Sequence, residues 1–172
     1  RYHEEGDSSV LKLEEAPVPE PGEGDVLVNV DVAGVSMAEV LQRQGKYITR
    51  VNLPHTPGGR MVGTVEKVGP GVDPSMIGKK YMGLVKTGAN AEKAVGTASV
   101  LRELPPGVDA VDAYAILAEA DVAAMVYRIA GKLQPGETVY VPAATGGVGY
   151  MAVQLAFLYG AGKVFGAASS PE

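Results

Sequence analysis

Residues 139–160, VYVPAATGGVGYMAVQLAFLYG, decide how the rest of the chain reads. Val139, Tyr140 and Val141 form a β-branched and aromatic run that predicts a strand. The glycine turn Thr145-Gly146-Gly147-Val148-Gly149 follows and opens an apolar-periodic segment. There Val148, Met151, Ala152, Leu155, Ala156 and Tyr159 recur at the spacing of one helix face. Strand, glycine turn and helix together are the setting in which such a turn points to phosphate binding. The first N–H groups of a helix lack intrahelical partners, and the helix dipole favours negative charge there. Without side chains at Gly146, Gly147 and Gly149, a pyrophosphate can approach that backbone and the helix can pack close to the strand. A tight turn with no ligand is the plainer alternative.

Written as G-x-G-x-x-G, the pattern has Ala144 in place of its first glycine. The acidic residue that would hold a ribose 2′-hydroxyl about 20 residues further on is also missing. Instead a second apolar run, residues 163–168, ends in Ser169-Ser170. A hydroxyl pair tolerates a 2′-phosphate that a carboxylate would repel, so the expected cofactor is NADP(H) rather than NAD.

With 172 residues, the chain can build one good core or two small units. A 46% hydrophobic and 20% charged composition argues for a folded globular chain. A net charge of −5 without a Lys/Arg cluster gives nucleic acid no electrostatic footprint. The lack of cysteine excludes disulfides and thiolate zinc sites. No apolar run approaches a membrane span, so the expectation is a cytoplasmic protein with no membrane partner.

Residues 1–105 read as strands and turns. The start, RYHEEGD, is polar, and Leu11 and Leu13 alternate with Lys12 and Glu14. In VLVNVDV, the residues Val26, Val28, Val30 and Val32 occupy one face and Leu27, Asn29 and Asp31 the other, which predicts a half-buried strand. A helix over 37–44 is opened by Ser36-x-x-Glu39, a capping box. Further strands are expected at 61–68, 79–85, 92–95 and 100–104. Short strands punctuated by glycine and proline suggest a partly open barrel. After PPGVD (105–109) the chain becomes Ala-rich, predicting two helices over 110–131 broken near Glu119, with a domain boundary near residue 106.

The succession VPEPGEGDVLVNVDVAGVS, VLQRQGKY, LPHTPGGRMVGTVEKVGPGV, LQPGETVYVPAATGGVGYMAVQLA and GAASSPE resembles the medium-chain dehydrogenase/reductase superfamily, and within it the zinc-free quinone oxidoreductase branch. The resemblance implies an α/β chain: a GroES-like partly open β-barrel as substrate domain (1–105), then the start of a Rossmann doubly wound parallel sheet binding NADP(H) (106–172). It implies hydride transfer from NADPH to a quinone or other α,β-unsaturated carbonyl. Zinc-containing relatives carry a Cys where this chain has Ser36 and a His-Glu pair where it has Gly59-Arg60. His55 alone cannot supply the three protein ligands that catalytic zinc generally takes, so no metal is expected.

The same resemblance puts Ser36 near the nicotinamide, in place of an Asn. It retains Glu39, keeps Tyr47 of the R-x-G-x-Y segment with Arg43 before it, and has Arg60 where a glutamate is common. Ala123 stands where a Thr usually faces the nicotinamide, and Asn90 and Lys93 replace two tyrosines. The implied site is therefore Ser36 and Tyr47 as catalytic residues, and Glu39, Arg43, Tyr47 and Arg60 as substrate contacts. Ser36, Ala123, Thr145, Gly146, Gly147, Val148, Gly149, Ser169 and Ser170 form the cofactor contacts. Each has a plainer reading: Ser36 and Glu39 cap a helix, Tyr47 wedges a loop, and Arg60 is a loop charge. The departures around the nicotinamide leave open a non-redox protein of the same fold, whether a scaffold or a cyclase-like enzyme. An enoyl reductase on thioester-bound chains also remains open. Relatives of this branch imply a homodimer and a longer chain, since strand, helix and second strand make only the start of a Rossmann sheet.

Overall fold

A computed structural model describes residues 1–86 and 88–170. The chain forms two compact units, Arg1–Tyr114 and Ala115–Glu172, which meet within a helix past the Pro105-Pro106 pair.

The first unit is a five-stranded antiparallel sheet in the order β4-β1-β2-β3-β5. Its strands are β1 (Asp25–Ala33), β2 (Arg60–Val68), β3 (Lys80–Leu84), β4 (Lys93–Thr97) and β5 (Arg102–Glu103). The central β1 pairs with β2 and β4, and its register against β2 shifts at Leu27/Val28 and Val30/Val32. Such bulges bend a strand and raise its twist. Just past β3, Lys86 N–H donates to Val95 O on β4 at 2.7 Å, so opposite flanks of the sheet are brought together. This is the partly open barrel expected from the punctuated strands.

Val26, Val28, Met61, Val65, Tyr81, Ala89 and Leu101 form the core of this unit. The alternation in β1 holds only in its second half. Asp25, Val26, Leu27 and Val28 are all buried, because this end of β1 is paired on both edges and covered on both faces. The expected strand at 100–104 shrinks to Arg102–Glu103 behind a 3₁₀ turn at Ala98–Val100. No strand forms around Leu11 and Leu13, which are exposed. The polar start is nonetheless pinned: Tyr2 is 0% exposed, exchanges both backbone hydrogen bonds with His55, and meets its ring edge-on at 5.4 Å.

In the second unit, the predicted break near Glu119 does not occur. Helix α2 runs unbroken over Ala110–Met125, and a π-helical turn at Val126–Ala130 ends it. Residues 110–130 contain no Gly or Pro, and Ala and Glu are good helix formers. Strands β6 (Thr138–Val141) and β7 (Lys163–Gly166) pair in parallel, joined by α3 (Gly147–Leu158). Parallel neighbours need such a crossover. The Tyr127 hydroxyl donates to Ala152 O at 3.0 Å, and its ring packs edge-on against Tyr159, locking the end of α2 to α3.

Candidate functional site

On the first unit, α1 (Met37–Arg43) carries the expected capping box. Ser36 N–H donates to Glu39 Oε2 at 2.7 Å, and Glu39 Oε1 accepts the N–H of Gly59 at 2.8 Å. One carboxylate thus opens the helix and holds the loop that leads into β2. A bond across twenty positions of sequence is what brings Ser36, Glu39 and the Gly59-Arg60 pair together. Arg60 begins β2 opposite Leu84. Arg43 faces the other way, toward the N-terminal segment: its carbonyl accepts from Gly6 N–H at 2.9 Å, and its charge acts on Tyr2 and Asp7. Tyr47 lies half-buried in the bend after α1.

His55, between its Tyr2 backbone bonds, is held below the usual imidazole range by burial, with Glu39 opposing that shift. Among the described residues, no group of three or more His, Cys, Asp or Glu is placed to hold a metal ion. Lys93, at one of the two tyrosine positions of the resemblance, is engaged with Glu66 at 2.6 Å, and Asn90 N–H donates to Pro57 O at 2.9 Å.

The second unit holds the glycine turn. β6 ends at Val141, and the chain doubles back through Ala143, whose φ is +51°, with Gly146 N–H closing onto Ala143 O at 2.9 Å. Gly146 is the N-cap of α3 and has no side chain to offer the helix. The first-turn N–H groups are thus left for a ligand or water. Gly149 is required by close approach: a Cβ there would lie 2.2 Å from Ala143 O. At Gly146 an added Cβ would meet only Ala143 O, at 3.3 Å. Gly149 therefore shapes the turn, while Gly146 leaves its outer surface bare. Gly146 and Gly147 are both exposed, as is Thr145.

The same end of the parallel pair carries Ser169 and Ser170, both exposed. Ala144 N–H donates to Ala167 O at 2.8 Å and Ala167 N–H to Val141 O at 3.0 Å. The serines thus follow β7 out of the sheet edge from which the glycine turn leaves. This backbone fits a dinucleotide diphosphate, with free helix N–H groups at Gly147 and Val148 and hydroxyls one strand away.

Ala123, in mid-helix on α2, is 1% exposed, whereas Gly146 and Gly147 are open to solvent. Of the predicted face of α3, Ala156 is fully buried and Met151, Ala152, Leu155 and Tyr159 are partly so, but Val148 is 37% exposed at the mouth of the turn. The residue that the sequence reading missed is Glu119. Its carboxyl group rests against Gly147: a Cβ built there would lie 3.0 Å from Glu119 Cδ and 3.2 Å from Oε1. Glu119 is one of three acids in an Ala-rich helix, with Asp112 and Asp121, and reads equally as a solvated charge.

An antiparallel partly open barrel followed by a β–α–β unit with a glycine turn is the order of a GroES-like domain and the start of a parallel α/β sheet. Residues 22–125 match the alcohol dehydrogenase GroES-like domain family. The chain is 35% identical to the Homo sapiens synaptic vesicle membrane protein VAT-1 homolog, over 94% of this chain and 42% of that protein. It is 34% identical to acryloyl-coenzyme A reductase of Sulfurisphaera tokodaii, over 97% of this chain and 58% of that one. It superposes on the quinone oxidoreductase of Thermus thermophilus, a protein also solved with NADPH, with a TM-score of 0.79 at 35% identity, covering 93% of this chain and 50% of that one. The chain belongs to the medium-chain dehydrogenase/reductase superfamily, among its quinone oxidoreductase and VAT-1 relatives. It spans about half the length of these relatives. None of its described helices is long and apolar enough to cross a membrane.

Proposed function

We propose that this chain provides the substrate domain and the first part of the cofactor domain of a zinc-independent, NADPH-dependent reductase acting on quinones or other α,β-unsaturated carbonyls. The observation that carries the proposal is the open N-terminus of α3 at Gly146-Gly147, set beside Ser169-Ser170 at the same sheet edge. Helix N–H groups and dipole favour a diphosphate there, and the uncharged serines leave room for a 2′-phosphate. When bound, the cofactor supplies the hydride; the protein orients it and excludes water. On the barrel, Ser36, Tyr47 and Arg60 are the polar groups that would orient an acceptor carbonyl, and Glu39 fixes Ser36 and the Gly59-Arg60 loop to α1. The absence of cysteine and the presence of Ser36 and Gly59-Arg60 at the metal-ligand positions support chemistry without zinc.

The similarity to an acryloyl-coenzyme A reductase supports a second substrate class, 2-enoyl thioesters. The test is NADPH oxidation by the intact protein, followed by its absorbance, with a quinone and then with a 2-enoyl thioester, each repeated with NADH. The expected result is turnover with one acceptor class and a lower KM for NADPH than for NADH. Binding of NADPH without turnover on either class would assign the fold a non-redox role, and a preference for NADH would overturn the reading of Ser169 and Ser170.

A further inference from the structure

Resting on the reductase reading above, we infer that Tyr114 is a positioning residue for the acceptor site: its ring tip, seated on the bare backbone of Gly34, fixes the turn that carries Ser36. Three residues, Gly34, Val35 and Ser36, join the end of β1 to the start of α1. The last of them is held by Glu39, whose carboxylate accepts the Ser36 N–H. The first is held by Tyr114. A Cβ built on Gly34 would lie 2.5 Å from Tyr114 Cε1 and 2.8 Å from both Cζ and the hydroxyl oxygen. The ring edge thus occupies the space that a side chain at position 34 would fill.

Both partners lie in the first unit, so that unit's own packing sets their approach. Tyr114 stands in the first turns of α2, whose start is fixed by Asp109: its Oδ1 accepts the N–H groups of Val111 and Asp112 at 2.8 and 3.2 Å. Ala113 beside it is buried and Tyr114 itself half-buried. Glycine has more backbone freedom than any other residue. Placed two residues before a side chain that orients a substrate, it would let that side chain drift. The ring removes this freedom without touching the acceptor, and Glu39 closes the other end of the turn. Misplacement of an orienting group by about 1 Å can cost on the order of 100-fold in rate, so the contact matters for turnover as well as for folding.

Three substitutions test this. Tyr114→Leu keeps an apolar stem and withdraws the ring tip, Tyr114→Phe keeps the ring, and Gly34→Ala puts a methyl group where the ring sits. NADPH oxidation by the intact protein, with the acceptor class that supports turnover, is measured beside the melting temperature of each variant. Tyr114→Leu should lower kcat by about 10-fold or more and leave the KM for NADPH unchanged, while Tyr114→Phe stays close to wild type. Gly34→Ala should reproduce the loss, and the double variant with Tyr114→Leu should be no worse than either single one, as for residues acting through one contact. If Tyr114→Leu does not fold, Gly34→Ala against Tyr114→Phe decides on the same criterion. A lower melting temperature with unchanged kcat in the folded variants, or additive losses in the double variant, would overturn the role of Tyr114 and leave the reductase reading standing. No turnover by the wild type with either acceptor class would overturn both.

Discussion

Asp25 shows how a single residue closes the barrel. It is 6% exposed, and its carboxylate accepts from Lys86 Nζ at 2.7 Å and from Thr97 Oγ1 at 3.2 Å, so the start of β1 is clasped to the chain on both flanks. The Lys86 hydrogen bond, outweighing desolvation and aided by Thr97, holds its carboxyl below the usual carboxylate range. A depressed folded-state value means that the stabilisation is full above the unfolded carboxyl's value of about 3.9 and fades as pH falls from there. Asp25→Asn should therefore lower the melting temperature at pH 7, and the gap from wild type should close as pH drops below about 4. At the glycine turn, two substitutions separate folding from binding. Gly149→Ala puts a methyl group 2.2 Å from a backbone carbonyl, and unfolding free energy should fall by about 1–3 kcal/mol, as for other overpacked sites. Gly146→Ala meets nothing closer than 3.3 Å. Its melting temperature should stay near wild type while NADPH affinity falls, because the methyl group lies on the cradle itself.

At the scale of elements, α1 depends on one acid. Glu39→Ala removes both the Ser36 arm of the capping box and the bond to Gly59. Chemical denaturation should show a loss of about 2 kcal/mol, between the value of a lost cap and that of charged hydrogen bonds. Glu39→Gln should recover part of it. These elements also show what the sequence could and could not reveal. The β6–turn–α3 passage was legible because three local signals agree: β-branched residues, adjacent glycines and a helical period. The capping box was legible because both partners sit within one turn. Tyr2 was not, since its burial depends on a bridge to His55, and no periodicity marks an isolated bridge. Ala123 carries no signal either way, because alanine suits a core and a crowded ligand site equally. Glu119 was misread as a helix break when its actual neighbour, Gly147, lies across a helix–helix contact that spacing along the chain does not encode.

Across the whole molecule both units leave apolar side chains exposed, among them Leu13 and Ile48 in the first. The barrel buries a continuous core. The second unit leaves Tyr140, Phe165, Phe157 and Leu158 more than half exposed, on both strands and on α3. A helix apolar on every side is at home in the interior of a larger fold, and a parallel pair is normally covered on both faces. The 172-residue chain, studied alone, should accordingly bind an apolar dye and associate with rising concentration, as followed by dye fluorescence and light scattering. The proposal of an NADPH-dependent reductase is tested most directly by thermal unfolding of the intact protein with and without NADPH. At 100 times its dissociation constant, a ligand adds about 2.7 kcal/mol of stability, which for a domain of this size raises the melting temperature by roughly 5–10 °C. The predicted result is that rise with NADPH and a smaller one with NADH; an unchanged melting temperature with both would contradict a nucleotide site at the head of α3.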